Sequence, residues 1–223
     1  MLEPSPILLE AENRMTERKQ TDEKARAFFE DLWKRGDPWE LESSEFEQAK
    51  YMRQLSMLDQ YRYARALEIG CGAGSFTRLL AGITEQVVAL DISPTAIECV
   101  RTEGSGSATV DFRVANIMDY DVRAEGPWDL VVMNETIYYL GWLYSFFDVS
   151  WLAAKLFEAT RGGGRLLMAN TCGGVEDYLL CPWIIRTYRD LFLNVGYRLE
   201  AEETFHGTKN GVHLEVLISL YNK

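Results

Sequence analysis

Three glycines alternate with other residues in the run Glu68-Ile69-Gly70-Cys71-Gly72-Ala73-Gly74, which joins a short apolar segment to an amphipathic one. Residues 66–69 have the pattern of a buried strand, and residues 76–83 have that of a helix. Glycines at such a junction let the backbone turn sharply and approach a ligand, while the helix N-terminus offers free N–H groups. The spacing therefore predicts a strand–loop–helix unit that binds a ligand, and we favour this over a tight turn that binds nothing.

The same alternation continues along the chain. Further strands are predicted at 87–91, 110–114, 128–133 and 165–169, separated by helical segments of about 10–15 residues. This order is typical of a mostly parallel sheet covered by helices on both faces.

The end of the chain breaks the parallel pattern. Two strands, 197–205 and 211–221, are joined by a link that contains the tight-turn pair Asn210-Gly211, and so short a link joins antiparallel neighbours. We therefore predict a doubly wound, Rossmann-like α/β sheet of seven strands with the last one antiparallel.

The N-terminal quarter has a different character. Residues 1–15 are polar and contain two prolines, which predicts a loose arm. A helix is predicted from Thr16 to about Arg35, and a second one from Ser44, which forms a capping-box pair with Glu47. The predicted organisation is an arm at 1–15, a helical cap at 16–62 and a ligand-binding domain at 63–223.

Composition excludes several classes of function. The net charge of −11 disfavours nucleic acid as a partner, since such a surface repels phosphates. Apolar runs are shorter than the roughly 18 residues that span a bilayer, and no secretory signal is visible. The four cysteines lack close spacing, which predicts a reducing cytoplasm. Only two histidines are present, so we predict no metal site.

The order of the glycines discriminates between cofactors. Dinucleotide sites favour G-x-G-x-x-G, but Ser75 stands at the last position of that pattern. Glu68 would lie poorly beside a diphosphate and would suit a cofactor with an ammonium group, such as S-adenosylmethionine (SAM). We predict SAM, held by the loop and the helix that follows it, at positions Glu68, Gly70, Cys71, Gly72, Gly74 and Phe76.

Two further strand ends offer cofactor contacts. Asp91 ends the second strand, where a carboxylate can accept hydrogen bonds from both ribose hydroxyls; the alternative is an acid that only precedes the next helix. Asn116 follows the third strand and is predicted to read the adenine edge, with Ile92 or Ile117 packing on the ring. A plain turn residue is the alternative for Asn116.

The motifs resemble a known family. Residues 67–77, Asp91, 114–117, 129–132 and 162–164 resemble the general pattern of class I SAM-dependent methyltransferases. Residues 36–39, 44–51 and 134–140 are similar to the nodulation N-methyltransferase (NodS-like) group, whose members methylate amines on sugar-derived substrates. Departures from the group's usual sequence are Asn134 and the segment 170–174, which lacks a histidine.

The resemblance and the strand order assign further roles. In many such enzymes the N-terminal segment folds over the cofactor, so Trp39 is expected to close on SAM and Lys50 to meet its carboxylate; a packing Trp and a solvated Lys are the alternatives. Asn134 and Glu135 end the fourth strand beside the methyl group, Asn134 as a cofactor contact. Glu135 is the expected acceptor or base for the amine, with Tyr138 and Tyr139 as catalytic pocket walls; the alternatives are a cap of the following turn for Glu135 and core packing for the two tyrosines.

The predicted function is methyl transfer from SAM to an amine on a small molecule, such as an amino sugar or a secondary metabolite. The alternatives are an O-methyltransferase and a SAM- or nucleoside-binding protein without catalysis, while Ser75 disfavours a dehydrogenase. Seven aromatic residues lie between Tyr138 and Trp151. This surplus predicts either a wall for the acceptor or a homodimer surface around Trp142.

Overall fold

The computed structural model describes residues 6–101 and 109–223, which form seven helices, one 3₁₀ turn and seven strands. No helix among them is both long and apolar enough to cross a membrane. In chain order the elements are α1 (Pro6–Trp33), α2 (Glu45–Leu58), β1 (Tyr63–Ile69), α3 (Ser75–Leu80), β2 (Thr84–Asp91), α4 (Pro94–Arg101), β3 (Thr109–Val114), β4 (Trp128–Asn134), α5 (Ile137–Leu143), α6 (Phe146–Ala159), β5 (Thr160–Gly173), the 3₁₀ turn (Tyr178–Leu180), α7 (Pro182–Asn194), β6 (Arg198–Lys209) and β7 (Val212–Asn222).

The strands form one sheet in the order β3-β2-β1-β4-β5-β7-β6. β7 runs antiparallel to β5 and β6, and the other neighbouring pairs are parallel, so the predicted fold class is confirmed. Asn210 and Gly211 both have positive φ, 50° and 78°, as a two-residue hairpin turn requires. Strand order reverses between β1 and β4, and such a switch point opens a crevice at the carboxyl ends of the strands.

The sheet buries both of its faces. In β4, residues 130–133 are fully buried, and Leu67 of β1 is as well. Alternate residues of each strand therefore join opposite apolar clusters, Leu67 and Val131 on one face and Ala66 and Leu130 on the other. This two-sided burial fixes the strand ends on which the site is built.

One prediction at the N-terminus needs correction. Helix α1 begins at Pro6, so the arm predicted over 1–15 is helical from that residue on, and residues 1–5 lie outside the described residues. Proline suits the first turn of a helix, and strong helix formers follow it. Helix α6 begins after Ser145, which caps it by accepting a hydrogen bond from Asp148 N at 3.2 Å.

Candidate functional site

The glycine loop lies at the switch point of the sheet and is held to β2 by hydrogen bonds. Gly70, Gly72 and Gly74 all have positive φ, at 75°, 54° and 81°. The N–H groups of Gly70 and Cys71 donate to the carbonyl of Leu90 at 2.8 and 2.9 Å. These bonds turn the chain from β1 into α3, as the sequence predicts.

The three glycines face different neighbours. A Cβ on Gly72 would lie 2.9 Å from the Trp33 ring of α1, so this glycine allows the N-terminal helix to close on the loop. A Cβ on Gly74 would instead lie 3.2 Å from the Phe112 ring. Gly74 therefore allows close packing at the start of α3 and does not line the cavity, and its predicted contact with the cofactor stays a prediction.

Replacing Gly72 by alanine is expected to destabilise the chain more than replacing Gly163 does. Both glycines have positive φ, and alanine at either site carries the same backbone penalty of about 1–2 kcal/mol. Only Gly72 meets a side chain, since nothing lies within 4 Å of a Cβ on Gly163. Overpacking against Trp33 should lower the free energy of unfolding by a further ~1–3 kcal/mol. Urea unfolding of both variants measures the difference, and equal losses would contradict the contact.

Two carboxyl groups border the cavity beneath the loop. Glu68 and Asp91 are 2% and 8% exposed, and burial raises the pKa of Glu68 to about 8 and that of Asp91 to about 6. Thr77 Oγ1 donates to Glu68 Oε2 at 2.5 Å. Asp91 accepts the N–H groups of Gly72 and Ser93, both at 2.9 Å. Burial outweighs these bonds, so the cavity favours a ligand that donates hydrogen bonds or carries positive charge.

Glu68 makes the stability of the chain depend on pH. The pKa of Glu68 is about 8 in the folded chain, against an ordinary value of 4.5, so the folded chain binds this proton more tightly. The free energy of unfolding should therefore fall as pH rises through this window, by at most about 1.4 kcal/mol per pH unit. Glu68→Gln keeps the acceptor for Thr77 and should remove this slope. Urea unfolding at several pH values between 5 and 8 tests it, and parallel curves for the two proteins would refute it.

The strand end after β3 carries Asn116. Its Nδ2 donates to Asp22 Oδ1 and to the Tyr144 hydroxyl, both at 2.9 Å, and its Oδ1 accepts from Met118 N at 3.1 Å. Asp22 belongs to α1, a residue that the sequence did not suggest for the site. Asn116 is thus at the predicted place, but its amide already has protein partners.

Glu135 follows β4 in the left-handed region, with φ 50°. Its carboxylate accepts hydrogen bonds from Thr171 N at 2.8 Å, Thr171 Oγ1 at 3.0 Å and Lys50 Nζ at 2.9 Å. The amide atoms of the preceding Asn134 are buried and lack hydrogen-bond partners among the described residues. An unpaired buried amide is costly, so Asn134 is suited to a ligand.

Lys50 lies behind the cavity rather than in it. The side chain is 1% exposed and pairs with Glu47 at 2.6 Å and with Glu135 at 2.9 Å. Burial by itself would lower the pKa of Lys50, but the charges of Glu135 and Glu47 outweigh it and raise that pKa above its ordinary value. Two carboxylates hold the ammonium group and Lys50 does not line the cavity, so its predicted contact with the cofactor would require these ion pairs to be exchanged and stays a prediction.

Aromatic rings close the cavity on the cap side. The rings of Tyr138 and Tyr139 lie 4.6 Å apart, and Trp39 lies 6.4 Å from Tyr139 and 5.8 Å from Trp33. Burial first, and then the carboxylate of Glu135, raise the pKa of Tyr138 well above its ordinary value, so its hydroxyl stays protonated.

Helix α1, part of the predicted cap, covers the site through residues that the sequence analysis did not assign to it. Ala25, Phe29 and Trp33 line the cavity at spacings of four residues, a helical face that periodicity could have shown. Glu30 fixes the helix to the start of α4 by accepting hydrogen bonds from Ser93 Oγ at 2.7 Å and Thr95 Oγ1 at 2.6 Å. The bond from Ser93 is the largest of the effects that lower the pKa of Glu30 to about 2.

All predicted site residues except Lys50 and Gly74 line the cavity. Those that line it are Trp39, Glu68, Gly70, Cys71, Gly72, Phe76, Asp91, Ile92, Asn116, Ile117, Asn134, Glu135, Tyr138 and Tyr139. Residues outside the prediction also line it, among them Leu41, Glu47, Tyr51, Thr136 and Tyr144.

Comparison with known proteins identifies the family. The family model described as Nodulation protein S (NodS) matches residues 21–145, more than half of the chain. The chain belongs to the NodS family. Nodulation protein S of Rhizobium tropici is 30% identical to this NodS-family chain over 135 residues, 60% of the chain and 55% of that protein.

Other relatives match over similar lengths. Nodulation protein S of Bradyrhizobium diazoefficiens is 36% identical over 105 residues, 47% of this chain and 49% of that protein. The ubiquinone biosynthesis O-methyltransferase of Xanthomonas oryzae is 32% identical over 108 residues, 48% of this chain and 43% of the enzyme. The NodS-family chain thus matches about half the length of these curated relatives.

Solved structures share the fold. The N-methyltransferase NodS of Bradyrhizobium japonicum WM9, in complex with S-adenosyl-L-homocysteine, superposes with a TM-score of 0.69 at 19% identity, over 92% of this chain and 97% of that one. Magnesium protoporphyrin IX methyltransferase of Synechocystis PCC 6803 gives 0.64 at 13% identity, over 89% and 100%. The predicted class I methyltransferase fold of this NodS-family chain is thereby confirmed.

Proposed function

We propose that this chain is a SAM-dependent methyltransferase that methylates an amine on a small molecule, such as an amino sugar. The observation that carries the proposal is the convergence of the glycine loop, Asp91 and Glu135 on one cavity at the switch point of the sheet. Membership of the NodS family supports it, since a relative of the same fold is an N-methyltransferase in complex with S-adenosyl-L-homocysteine.

The residues around the cavity fit SAM. When bound, this cofactor supplies a methyl group activated by its sulfonium. Asp91 lines the cavity at the end of β2, where its carboxylate would accept the ribose hydroxyls, and the buried Glu68 and the unpaired amide of Asn134 suit the amino-acid end. Ile92 and Ile117 would pack on adenine. Recognition of adenine by Asn116 requires that its bonds to Asp22 and Tyr144 be exchanged.

The acceptor amine would meet Glu135. A carboxylate offers about four lone-pair positions; Lys50 and Thr171 use three of them, and the Tyr138 hydroxyl also bonds to this carboxylate. An amine that takes the place of the Tyr138 hydroxyl would donate an N–H to Glu135 and aim its lone pair at the methyl carbon, so the main contribution of Glu135 would be orientation. The faces of Tyr138 and Tyr139 would stabilise the positive charge that develops on nitrogen.

Three other predictions remain part of the proposal. Helices α1 and α2 would act as the cap over the cofactor, because Trp33 contacts the glycine loop and Glu30 ties α1 to α4. A homodimer would use the exposed aromatic surface of α6, where Phe147 and Trp151 are 78% and 59% exposed. A cytoplasmic location also stays a prediction.

O-methylation is the second candidate, since a ubiquinone biosynthesis O-methyltransferase is among the relatives. Turnover of SAM should be assayed with an amino sugar and with the matched sugar that carries a hydroxyl in place of the amine. Formation of S-adenosylhomocysteine with the amine alone supports the proposal. Turnover with the hydroxyl alone would replace it by O-methylation.

A further inference from the structure

The two histidines of the chain lie side by side on the terminal hairpin. His206 belongs to β6 and His213 to β7, and the register pairs His206 with Glu215. Residues two apart in a strand share a face of the sheet, so His213 and Glu215 point the same way. Pairing of the strands thus brings together three side chains that the sequence separates.

The distances within this trio suit a metal ion. The imidazole rings are stacked with centroids 5.8 Å apart, and His206 Nδ1 lies 3.9 Å from Glu215 Oε1. One ligand atom from each residue lies within 4.8 Å of the other two. Ligands of tetrahedral zinc lie about 3.4 Å apart, given bonds of about 2.1 Å.

The surroundings of the trio allow its three side chains to move close enough to bind one metal ion. The side chains of His206 and Glu215 are 53% and 43% exposed, so small rotations meet little resistance. Gly173 of the neighbouring strand leaves room for the carboxylate, since a Cβ there would lie 2.7 Å from Glu215 Oε2. The net charge of −11 also favours the approach of a cation.

We propose that His206, His213 and Glu215 form a binding site for a divalent first-row transition metal ion, with zinc as the best match. Two imidazoles and one carboxylate are typical ligands of zinc, and three protein ligands leave a coordination position open for water. Magnesium and calcium favour all-oxygen sites. This proposal departs from the prediction of no metal site, which rested on the low histidine count, because both histidines are in one cluster.

A metal ion here would stiffen the part of the hairpin that holds the cap. Side chains alternate along β6, so Phe205, Gly207 and Lys209 face away from the trio. The ring of Phe205 packs at a tilt of 54° against that of Phe46 of α2, with centroids 5.6 Å apart, and Lys209 pairs with Glu47 of α2 at 2.8 Å. Joining β6 to β7 on the opposite face would hold these contacts in place.

The test is titration of the untagged, metal-free protein with Zn²⁺, followed by calorimetry and by thermal unfolding. We expect one equivalent to bind and the unfolding midpoint to rise, while Mg²⁺ at the same concentration gives neither effect. His206→Ala, His213→Ala and Glu215→Gln should each weaken Zn²⁺ binding at least about tenfold, since loss of even an outer-shell partner costs 10–100-fold. Glu176→Gln removes an exposed carboxylate outside the trio and should bind as the parent does.

Two results would overturn the site. One is absence of a stoichiometric Zn²⁺ event, and the other is unchanged Zn²⁺ affinity in the His206→Ala/His213→Ala double variant. Circular dichroism of that variant verifies that it is folded. Neither readout requires SAM or turnover, so failure of the methyltransferase assay and failure of the metal site are separate outcomes.

Discussion

Replacing Glu135 by glutamine is expected to lower the turnover number for methyl transfer by at least about 100-fold, the lower range for a group that orients or deprotonates a reactant. Glutamine keeps one oxygen, but its NH₂ group must face a donor, either Lys50 or Thr171, that now lies 2.8–3.0 Å from a carboxylate oxygen. The acceptor position for the amine is then lost or turned away. Steady-state kinetics with SAM and an amino sugar measures the effect.

The same variant separates catalysis from cofactor binding. Asp91 and the glycine loop are unchanged in Glu135→Gln, so its affinity for S-adenosylhomocysteine should stay within about threefold of the parent, less than one hydrogen bond. Glu85→Gln, which alters an exposed carboxylate on β2, is the control and should keep full turnover. Normal turnover in Glu135→Gln would remove Glu135 from the proposed mechanism.

Replacing Lys50 by methionine should lower the free energy of unfolding by about 3–5 kcal/mol, as when one partner of a buried ion pair is removed. Lys50 is 1% exposed and neutralises both Glu47 and Glu135. Methionine fills a similar volume but leaves the two carboxylates without their shared cation. Urea unfolding at neutral pH measures the loss.

Lys34→Met is the matched control. Lys34 is 64% exposed and lies 3.6 Å from Glu30, and exposed pairs contribute at most about 1 kcal/mol. Adding Glu135→Gln to Lys50→Met should recover part of the loss, because one unpaired charge is removed with its partner. A loss below about 1 kcal/mol in Lys50→Met would show that the ion pairs do not stabilise the fold.

Local sequence patterns were enough to predict most of the fold and much of the site. The glycine loop, Asp91 and Asn134 lie at ends of strands that periodicity located within a few residues, and parallel strands bring their carboxyl ends to one edge of the sheet. The hairpin followed from Asn210-Gly211, because few other pairs adopt positive φ twice. Proximity at that edge was therefore predictable without any knowledge of tertiary contacts.

Features that depend on tertiary pairing were not predictable in this way. A lysine in a predicted helix is expected to be exposed to solvent, and only the packing of α2 against Glu135 shows that Lys50 is buried. Asp22 reaches Asn116 across 94 positions of the chain. His206 and His213 meet because the register of β6 and β7 places them on one face. Each case rests on an approach between elements that local propensity does not encode.

Calorimetric titration with S-adenosylhomocysteine, with NAD as the control ligand, tests the central claim most directly. The parent protein should bind S-adenosylhomocysteine and not NAD. Asp91→Ala should weaken that binding by about 100-fold, the loss expected for two hydrogen bonds to a charged group. Failure of the parent to bind S-adenosylhomocysteine, or an affinity that Asp91→Ala leaves unchanged, would contradict the assignment of this cavity as a SAM site.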